Sequence, residues 1–519
     1  MRKLIYLINL REIALGENGM EIVPFVGRQE ELKALKQLLQ KKTASLVVIK
    51  GRRRIGKSRL VEEFADNLKF YSFSGLPPTD KTTDQSQRDE FARQLGEQCG
   101  VPGLRSDDWG SLFILLAKHT QKGRVIILLD EISWMGSKDP DFLGKLKTAW
   151  DLNFKKNPQL ILVLCGSVSS WIEKNIISSA GFLGRISHKI TLGELSLNES
   201  NTLLDEIGFK GSAVEKYMIL AITGGVPWYL ELVKPGLPAS ENIKKLCFEP
   251  DGILAEEFKY IFHDLFPGRR REIYRKIVEC LAQAAAEYKE VAEAVHYTSS
   301  GPLSEYLDEL IMSGFVSRDY VWAIKSGKLS KLSKYRLRDN YLRFYLRYIA
   351  SQLEKIKMGQ FKTVSLASFS GWDTVMGLQF ENIILNNRPL VYEKLGIKPE
   401  EIVFDNAYFQ RKTSKQKGCQ IDYLIQTKYK TLYLCEVKFI RKEVDVSVIH
   451  SVEEKMSRLS LPRGYSILPV LIHVNGVSDQ VYEKEFFYKM IDFSELLIDG
   501  YFRKRRVPKQ GMPKLIRIM

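Results

Sequence analysis

The stretch SLVVIKGRRRIGKS, residues 45–58, constrains this chain more than any other. Its first five residues are a near-continuous apolar run, without the alternation of a half-exposed strand, so they predict a strand covered on both faces. A glycine-containing loop follows, and then KSRLVEEFADNL, which reads as a helix. A strand buried on both faces that feeds a helix through a short loop belongs to a parallel sheet with helices on either side. Two more apolar runs of strand length, RVIILLD at 124–130 and QLILVLC at 159–165, are separated by helical patterns at 111–119 and 142–155 and extend the same sheet.

The loop from Gly51 to Ser58 fits G-x-x-x-x-G-K-[ST] in the strand–loop–helix setting that this pattern requires. Gly51 and Gly56 let backbone N–H groups curl around phosphates, Lys57 can reach the β- and γ-phosphates, and Ser58 can ligate Mg²⁺ at the positive end of the helix. Ile55 inside the loop and Arg59 just past it are grouped with these nucleotide-contacting positions. ATP and Mg²⁺ are therefore the expected cofactors. The strand 125–129 runs into Asp130 and Glu131. Asp130 is expected in the Mg²⁺ shell, and Glu131 is expected to orient or deprotonate the attacking water. Ser167 follows the third strand at the same edge, where it senses the γ-phosphate or is ordinary turn chemistry.

At 519 residues the chain has room for three or four domains of roughly 100–200 residues. Six cysteines and six histidines are scattered without C-x-x-C or H-x-x-x-H spacing, which argues against a zinc site and a disulfide framework and for a reducing, cytoplasmic setting. No apolar run approaches the roughly 18 residues that span a bilayer, so no membrane role is expected. Met20 directly precedes the first strong motif, and residues 1–19 read as an N-terminal extension. The net charge is +16, and two segments hold 14 of those charges: residues 318–347, with nine Lys/Arg against two Asp, and residues 501–519, with seven Lys/Arg and no acid. Concentrated positive charge is the footprint of a phosphate-backbone binder, DNA rather than RNA, and equally of a solvated basic surface.

Residues 196–265 read as helical, and 266–346 as three helices followed by a strand-like GFVSRDY, a basic loop and KYRLRDNYLRFYLRYI, a winged-helix layout. The third helix carries Glu305, Asp308 and Glu309 and no base-reading cation, so a role in internal switching suits it better than groove readout. Lys325, Lys328, Lys331, Lys334, Arg336 and Arg338 beyond it suit contact with a nucleic-acid backbone. Residues 347–371 form a linker, and a last domain spans 372–519.

Several motifs follow one another as in the archaeal-type ATPases of the STAND class, relatives of AAA+ proteins: FVGRQEEL (25–32), the loop 51–58, LLDEISWM (128–135), LCGS (164–167), GR (184–185) and TGGVPWYL (223–230). The resemblance covers roughly residues 20–345. It implies an ATPase core over 20–195 and a helical lid over 196–265, with Arg28 near the nucleotide and Gly225 and Pro227 contacting it from the lid. Arg185 is then a phosphate sensor, a finger for a neighbouring subunit in a homo-oligomer, or a surface ion pair.

In the last domain, IDYLI (421–425) and TLYLCEVKF (431–439) are apolar strands interrupted by Asp422, Glu436 and Lys438. Residues two apart in a strand share a face, so Glu436 and Lys438 point the same way, and pairing of the two strands brings Asp422 alongside Glu436. Two converging carboxylates suit Mg²⁺, and a lysine beside them can align or activate a water. Upstream, GLQFENIILNN reads as a helix whose Glu381 adds a third ligand. Helix Glu, then Asp, then Glu-x-Lys over a hairpin resembles the PD-(D/E)xK nuclease superfamily, with Ile421 where its name has proline. The resemblance implies Mg²⁺-dependent phosphodiester cleavage, with Asp422 and Glu436 as ligands, Lys438 catalytic and Glu381 supporting. The fold class expected for the whole chain is α/β: a P-loop NTPase sheet with helical lid, a winged helix and a restriction-endonuclease-like α/β domain. Its expected function is an ATP-controlled nuclease of defence or stress response; the rival is an ATP-driven switch that docks DNA or a partner, with residues 372–519 inactive.

Overall fold

The computed structural model describes residues 23–79, 81–265, 271–297, 301–361, 363–414 and 416–498. The extension 1–19, the boundary near 266 and the basic tail 501–519 lie outside the described residues.

Five parallel strands, β1 (Ser45–Lys50), β2 (Lys69–Ser74), β3 (Val125–Asp130), β4 (Leu160–Gly166) and β5 (Ile186–Thr191), stand in the order β2-β3-β4-β1-β5. Because β4 sits between β1 and β3, the phosphate loop, Asp130 and Ser167 all emerge at one edge. On one face, α1 (Gln29–Leu38) and α2 (Lys57–Ala65) pack over Val47, Ile49 and Val163. On the other, α3 (Asp84–Cys99), α4 (Trp109–His119) and α5 (Phe142–Leu152) close over Leu46, Val48 and Ile127. That second layer is held by Phe73, Phe91, Trp109, Phe113 and Phe142, whose neighbouring ring centroids lie 4.5 to 5.9 Å apart. Thr83 and Asp108 cap α3 and α4 by accepting from Ser86 N and Ser111 N, which fixes where those helices begin.

A helical layer follows: α6 (Leu197–Glu206), α7 (Ala213–Thr223), α8 (Pro227–Glu231), α9 (Ala239–Cys247) and α10 (Ile253–Leu265). Gly224 and Gly225, at φ 63° and 77°, end α7, and Pro227 opens α8. A Cβ on Gly225 would stand 2.7 Å from the Leu195 carbonyl oxygen, so only glycine fits there.

Next come α11 (Arg271–Gln283), α12 (Tyr288–Ala294), α13 (Gly301–Met312), a hairpin of β6 (Val316–Ala323) and β7 (Lys328–Leu337), and α14 (Asn340–Phe344). Much of the segment expected to be a basic loop, 321–333, is strand: β6 runs to Ala323 and β7 starts at Lys328, and beyond it Lys334 lies opposite Asp319 and Tyr335 opposite Arg318. The expected basic surface shrinks for a related reason. Arg336 is buried against Asp319 and Asn382, and Arg343 is buried against Gln379, which leaves Lys325, Lys328 and Lys331 exposed around the hairpin tip.

The last sheet is mixed, β12-β11-β10-β9-β8, built from β8 (Ile402–Gln410), β9 (Cys419–Thr427), β10 (Thr431–Lys438), β11 (Ser466–His473) and β12 (Lys489–Asp492). β8, β9 and β10 are antiparallel neighbours, whereas β10, β11 and β12 run parallel. Helix α15 (Trp372–Asn386) packs on β10, and α16 (Ser447–Arg458) packs on β9 from the side lined by Leu424, Leu432 and Leu434. This sheet shares its core with the helical layer. Tyr217 of α7 lies 5.0 to 5.6 Å from the rings of Phe380, Phe439 and Phe493, and its hydroxyl donates to the Met376 carbonyl at 2.5 Å.

Candidate functional site

The phosphate loop is pinned at both ends by its own residues. Lys57 Nζ donates to the Arg52 carbonyl at 3.1 Å, and Ser58 Oγ donates to Asp130 Oδ2 at 2.5 Å. Glu131 adopts φ 48° and accepts from Ser167 N at 3.1 Å and Ser167 Oγ at 2.8 Å. Ser58, Asp130, Glu131 and Ser167 thus form one polar array at the sheet edge, each carboxylate held by a hydroxyl. Arg28, at φ 59°, donates through Nη2 to Gly193 O at 2.6 Å and to Ile55 O at 3.3 Å, which ties it to the loop. Arg28, Ile55, Gly56, Arg59 and Pro227 line one narrow cavity of about 30 Å³ beside the loop, where Arg59 is held by Glu231 at 2.6 Å. Gly51, at the end of β1, fits only as glycine, because a Cβ would meet the Leu192 carbonyl oxygen at 2.4 Å.

Of the roles open to Arg185, the structure shows the ion pair and not contact with this chain's phosphate loop. Arg185 precedes β5, whose Ile186 is in register with Leu46 at the start of β1, whereas the phosphate loop follows Lys50 at its end. That is the opposite edge of the sheet, about 16 Å away along the strand. Arg185 forms a two-nitrogen ion pair with Asp151, with contacts of 2.8 to 3.2 Å, and does not reach this chain's phosphate loop.

Two arginines of the loop have partners that sequence reasoning missed. Arg52 is buried against Asp339 and lies 3.4 Å from Glu194, with Phe315 and Tyr229 rings at 5.2 and 5.9 Å. Arg54 lies 3.7 Å over the Trp228 ring and 3.3 Å from Glu257. The sequence offers no local signal for either, because the partners lie about 140 to 290 positions away.

The second cluster lies on the last sheet. Tyr423 pairs with Cys435, so Asp422 falls opposite Glu436, and Val437 N donates to Asp422 Oδ2 at 2.9 Å. Lys438 Nζ is 2.8 Å from Glu436 Oε1. Lys455 of α16 stands between the two carboxylates, 3.3 Å from Asp422 Oδ1 and 2.5 Å from Glu436 Oε2. Asp422 Oδ1 and Oδ2 and Glu436 Oε2 each accept from an ammonium or an amide, whereas Glu436 Oε1, though near the Lys438 ammonium, is buried without a hydrogen-bond partner among the described residues. Burial, then the Glu436 charge, raises the Asp422 pKa from its ordinary value. Burial, then Asp422, lifts Glu381 to about 8. Burial alone would lower Lys455, but the two carboxylates outweigh it and raise its pKa.

Glu381, Asp422 and Glu436 do not assemble the expected three-carboxylate cage: among the described residues no group of three or more His, Cys, Asp or Glu side chains is arranged to hold a metal ion. Lys455 holds Asp422 and Glu436 from between them instead. Its ammonium nevertheless marks the point between Asp422 and Glu436 where a cation is favoured, and two hard carboxylates facing it suit Mg²⁺. Lys455 was missed by sequence reasoning. The available signal was a lysine continuing the buried stripe Val448–Val452 of an amphipathic helix.

Residues 25–233 match the profile of an ATPase domain found predominantly in Archaea. The chain belongs to the archaeal-type P-loop ATPases. An uncharacterized protein of Methanocaldococcus jannaschii is 26% identical over 381 residues, spanning 72% of this chain and 81% of that protein. An uncharacterized ATP-binding protein of the same organism is 44% identical over 49 residues, 9% of this chain and 83% of that protein. A solved Walker-type ATPase of Pyrococcus abyssi is similar at 17% identity and a TM-score of 0.46, covering 62% of this chain and 96% of its own. The ATPase has, among its described residues, no helix long and apolar enough to cross a membrane.

Glu194 gives the ATPase a testable pH dependence. Burial raises its pKa from 4.5 to about 7, against the pull of Arg338 and Arg52. A carboxyl with a raised folded-state pKa contributes its stability in full below the unfolded value and loses it as pH rises through the folded value. Glu194→Gln is therefore expected to gain stability relative to the native protein between about pH 5 and pH 8, by on the order of 1–3 kcal/mol. Melting both proteins across that range checks it; parallel curves would contradict it.

Proposed function

We propose that nucleotide binding and hydrolysis at the phosphate loop set a conformation that licenses phosphodiester cleavage at the Asp422–Glu436–Lys438–Lys455 cluster, in a layout suited to defence or stress response. The proposed organisation is an ATPase core over 20–195, a helical lid over 196–265, a winged helix over 266–346, a linker over 347–371 and a PD-(D/E)xK-type domain over 372–519. The observation that carries the reading is the meeting of Asp422 and Glu436 around one ammonium, with Lys438 beside them. Charges in the core of a sheet are costly without a task or partners, and here four of them converge on one point.

In the ATPase half, Lys57 would neutralise the β- and γ-phosphates, Ser58 and Asp130 would hold Mg²⁺, and Glu131 would orient the attacking water under the hold of Ser167. In the C-terminal half, Asp422 and Glu436 would hold Mg²⁺ with Glu381 in support, and the ion, when bound, supplies charge stabilisation at the phosphodiester. Lys438 would align the attacking water. Lys455, beside the two carboxylates, would face a phosphate oxygen. Nucleic acid, DNA rather than RNA, would be drawn to the hairpin tip at Lys325, Lys328 and Lys331 and to the tail 501–519. In a homo-oligomer Arg185 would serve as a finger only by leaving Asp151 for a neighbour's site. A cytoplasmic setting suits all of this.

The test is cleavage of plasmid, single-stranded DNA and tRNA by the purified chain, with Mg²⁺ or Mn²⁺, with and without ATP. Cleavage lost in Asp422→Ala and changed in Lys57→Ala is the expected outcome; metal-independent cleavage would sink the reading. One observation favours the rival, a regulatory switch with an inactive last domain: Lys455 already pairs with one oxygen of each carboxylate. Salt-dependent DNA binding with no metal-dependent cutting would select it.

A further inference from the structure

Arg52 sits inside the phosphate loop, yet its side chain is committed elsewhere. Its guanidinium reaches Asp339, Glu194 and the Tyr229 hydroxyl and lies against the Phe315 ring. Asp339 is 0% exposed and also accepts from Leu342 N at 2.7 Å, so it fixes both the arginine and the first turn of α14. The next residue continues the line. Asn340 O accepts from Gln379 Nε2 at 2.7 Å, and Asn340 Oδ1 accepts from Asn382 Nδ2 at 2.5 Å. Gln379 and Asn382 are 0% exposed, belong to α15 and flank Glu381 on either side in sequence.

The loop end of this line is also connected to the nucleotide chemistry. The carbonyl of Arg52 accepts from Lys57 Nζ, the group that turns to the phosphates when nucleotide binds. The far end carries charge as well: Arg343 Nη1 donates to Gln379 Oε1 at 2.7 Å, and Arg336 donates to Asn382 Oδ1. A buried polar group that loses its partner pays its full desolvation cost, so a displacement at one link is relieved by moving the next rather than by breaking the pair.

We propose that the Arg52–Asp339 pair is the joint through which nucleotide state at the phosphate loop moves α15, and with it Glu381 beside the Asp422–Glu436 cluster. The inference rests on the reading of that cluster as the nucleotide-controlled site. Arg52 is then a positioning residue: it holds the loop and transmits its state, and it does not touch the reacting atoms. The loop reaches α15 through the Arg52–Asp339 pair, the peptide bond from Asp339 to Asn340, and the bonds that the Asn340 carbonyl and side chain accept from Gln379 and Asn382, with no solvent-exposed member.

Amide hydrogen exchange over residues 372–386 tests this without any cleavage assay. In the native chain, ATP with Mg²⁺ is expected to change exchange of these amides by about 5-fold or more. Asp339→Asn removes the charge and keeps an equally good helix cap. It should bind ATP, followed with a fluorescent ATP analogue, and lose the exchange response. Gln379→Met, which removes one of the two bonds at the far end, should weaken the response, and melting confirms that each variant is folded. An unresponsive native chain, or a full response in both variants, would overturn the proposal. A response that depends on Asp339 in a chain that cuts no nucleic acid would preserve this coupling and reject the nuclease reading. Metal-dependent cleavage with an unresponsive α15 would do the reverse.

Discussion

Lys57→Ala is expected to lower ATP turnover by about 10²–10³-fold while leaving the fold in place. Both halves of that expectation follow from where the lysine sits. Lys57 is buried at the first position of α2, and its ammonium donates to the Arg52 carbonyl. Removing it deprives a loop carbonyl of one donor, a loss of about 1 kcal/mol, and leaves no buried carboxylate unpaired. The catalytic loss is of another kind. The ammonium acts on charge that develops on the transferring phosphoryl group, and no other lysine of the loop 51–58 can replace it. Phosphate release measured beside a melting curve separates the two. A fall of less than about 10-fold would mean that hydrolysis does not occur at this loop. Glu131→Gln provides a contrast: it keeps Lys57 and Ser58, so nucleotide binding should persist while turnover falls.

The parts of this protein that could be read from its sequence are those governed by near neighbours. The loop 51–58 and the apolar runs at 45–49, 125–129 and 160–165 declared a parallel sheet because local pattern and burial agree there. The hairpin joining Asp422 to Glu436 was legible because period-two alternation fixes the face of each residue. What escaped was set by distant contacts. Arg336 looked like a surface cation but is buried, because Asp319 and Asn382 meet it across a fold that single-residue charge counting does not see. Arg185 was open between a nucleotide role and a surface ion pair, and only strand register, which carries it to the opposite edge, separates the two. The segment 321–333 reads as a basic loop, yet β6 and β7 continue into it and pair as a hairpin, a cross-strand contact that local composition does not show. The phosphate-loop arginines were visible but had no assignable role until Asp339 and Glu257 were brought beside them.

Lys455→Met tests the C-terminal cluster most directly, since it removes the one group that touches both carboxylates. Without a divalent cation, Asp422 and Glu436 then face each other across a strand pair with Lys438 alone as counter-ion. Breaking a largely buried ion pair by deleting one partner costs about 3–5 kcal/mol; Lys455 keeps some solvent contact, so about 2–4 kcal/mol of lost protection is expected in the amides of β9 and β10. Mg²⁺ or Mn²⁺ should restore that protection in the variant and have less effect on the native chain, where the ammonium competes for the same place. The measurement belongs above neutral pH. The Asp422 pKa is already raised, and a carboxyl of that kind stabilises the fold when protonated, so acid would relieve the repulsion without any metal. Recovery with metal would establish that the pair binds a divalent cation, independently of any cleavage. If protection is lost and metal does not restore it, Lys455 is a structural counter-ion, Asp422 and Glu436 are an ion-paired strand edge, and the regulatory reading takes the place of the nuclease.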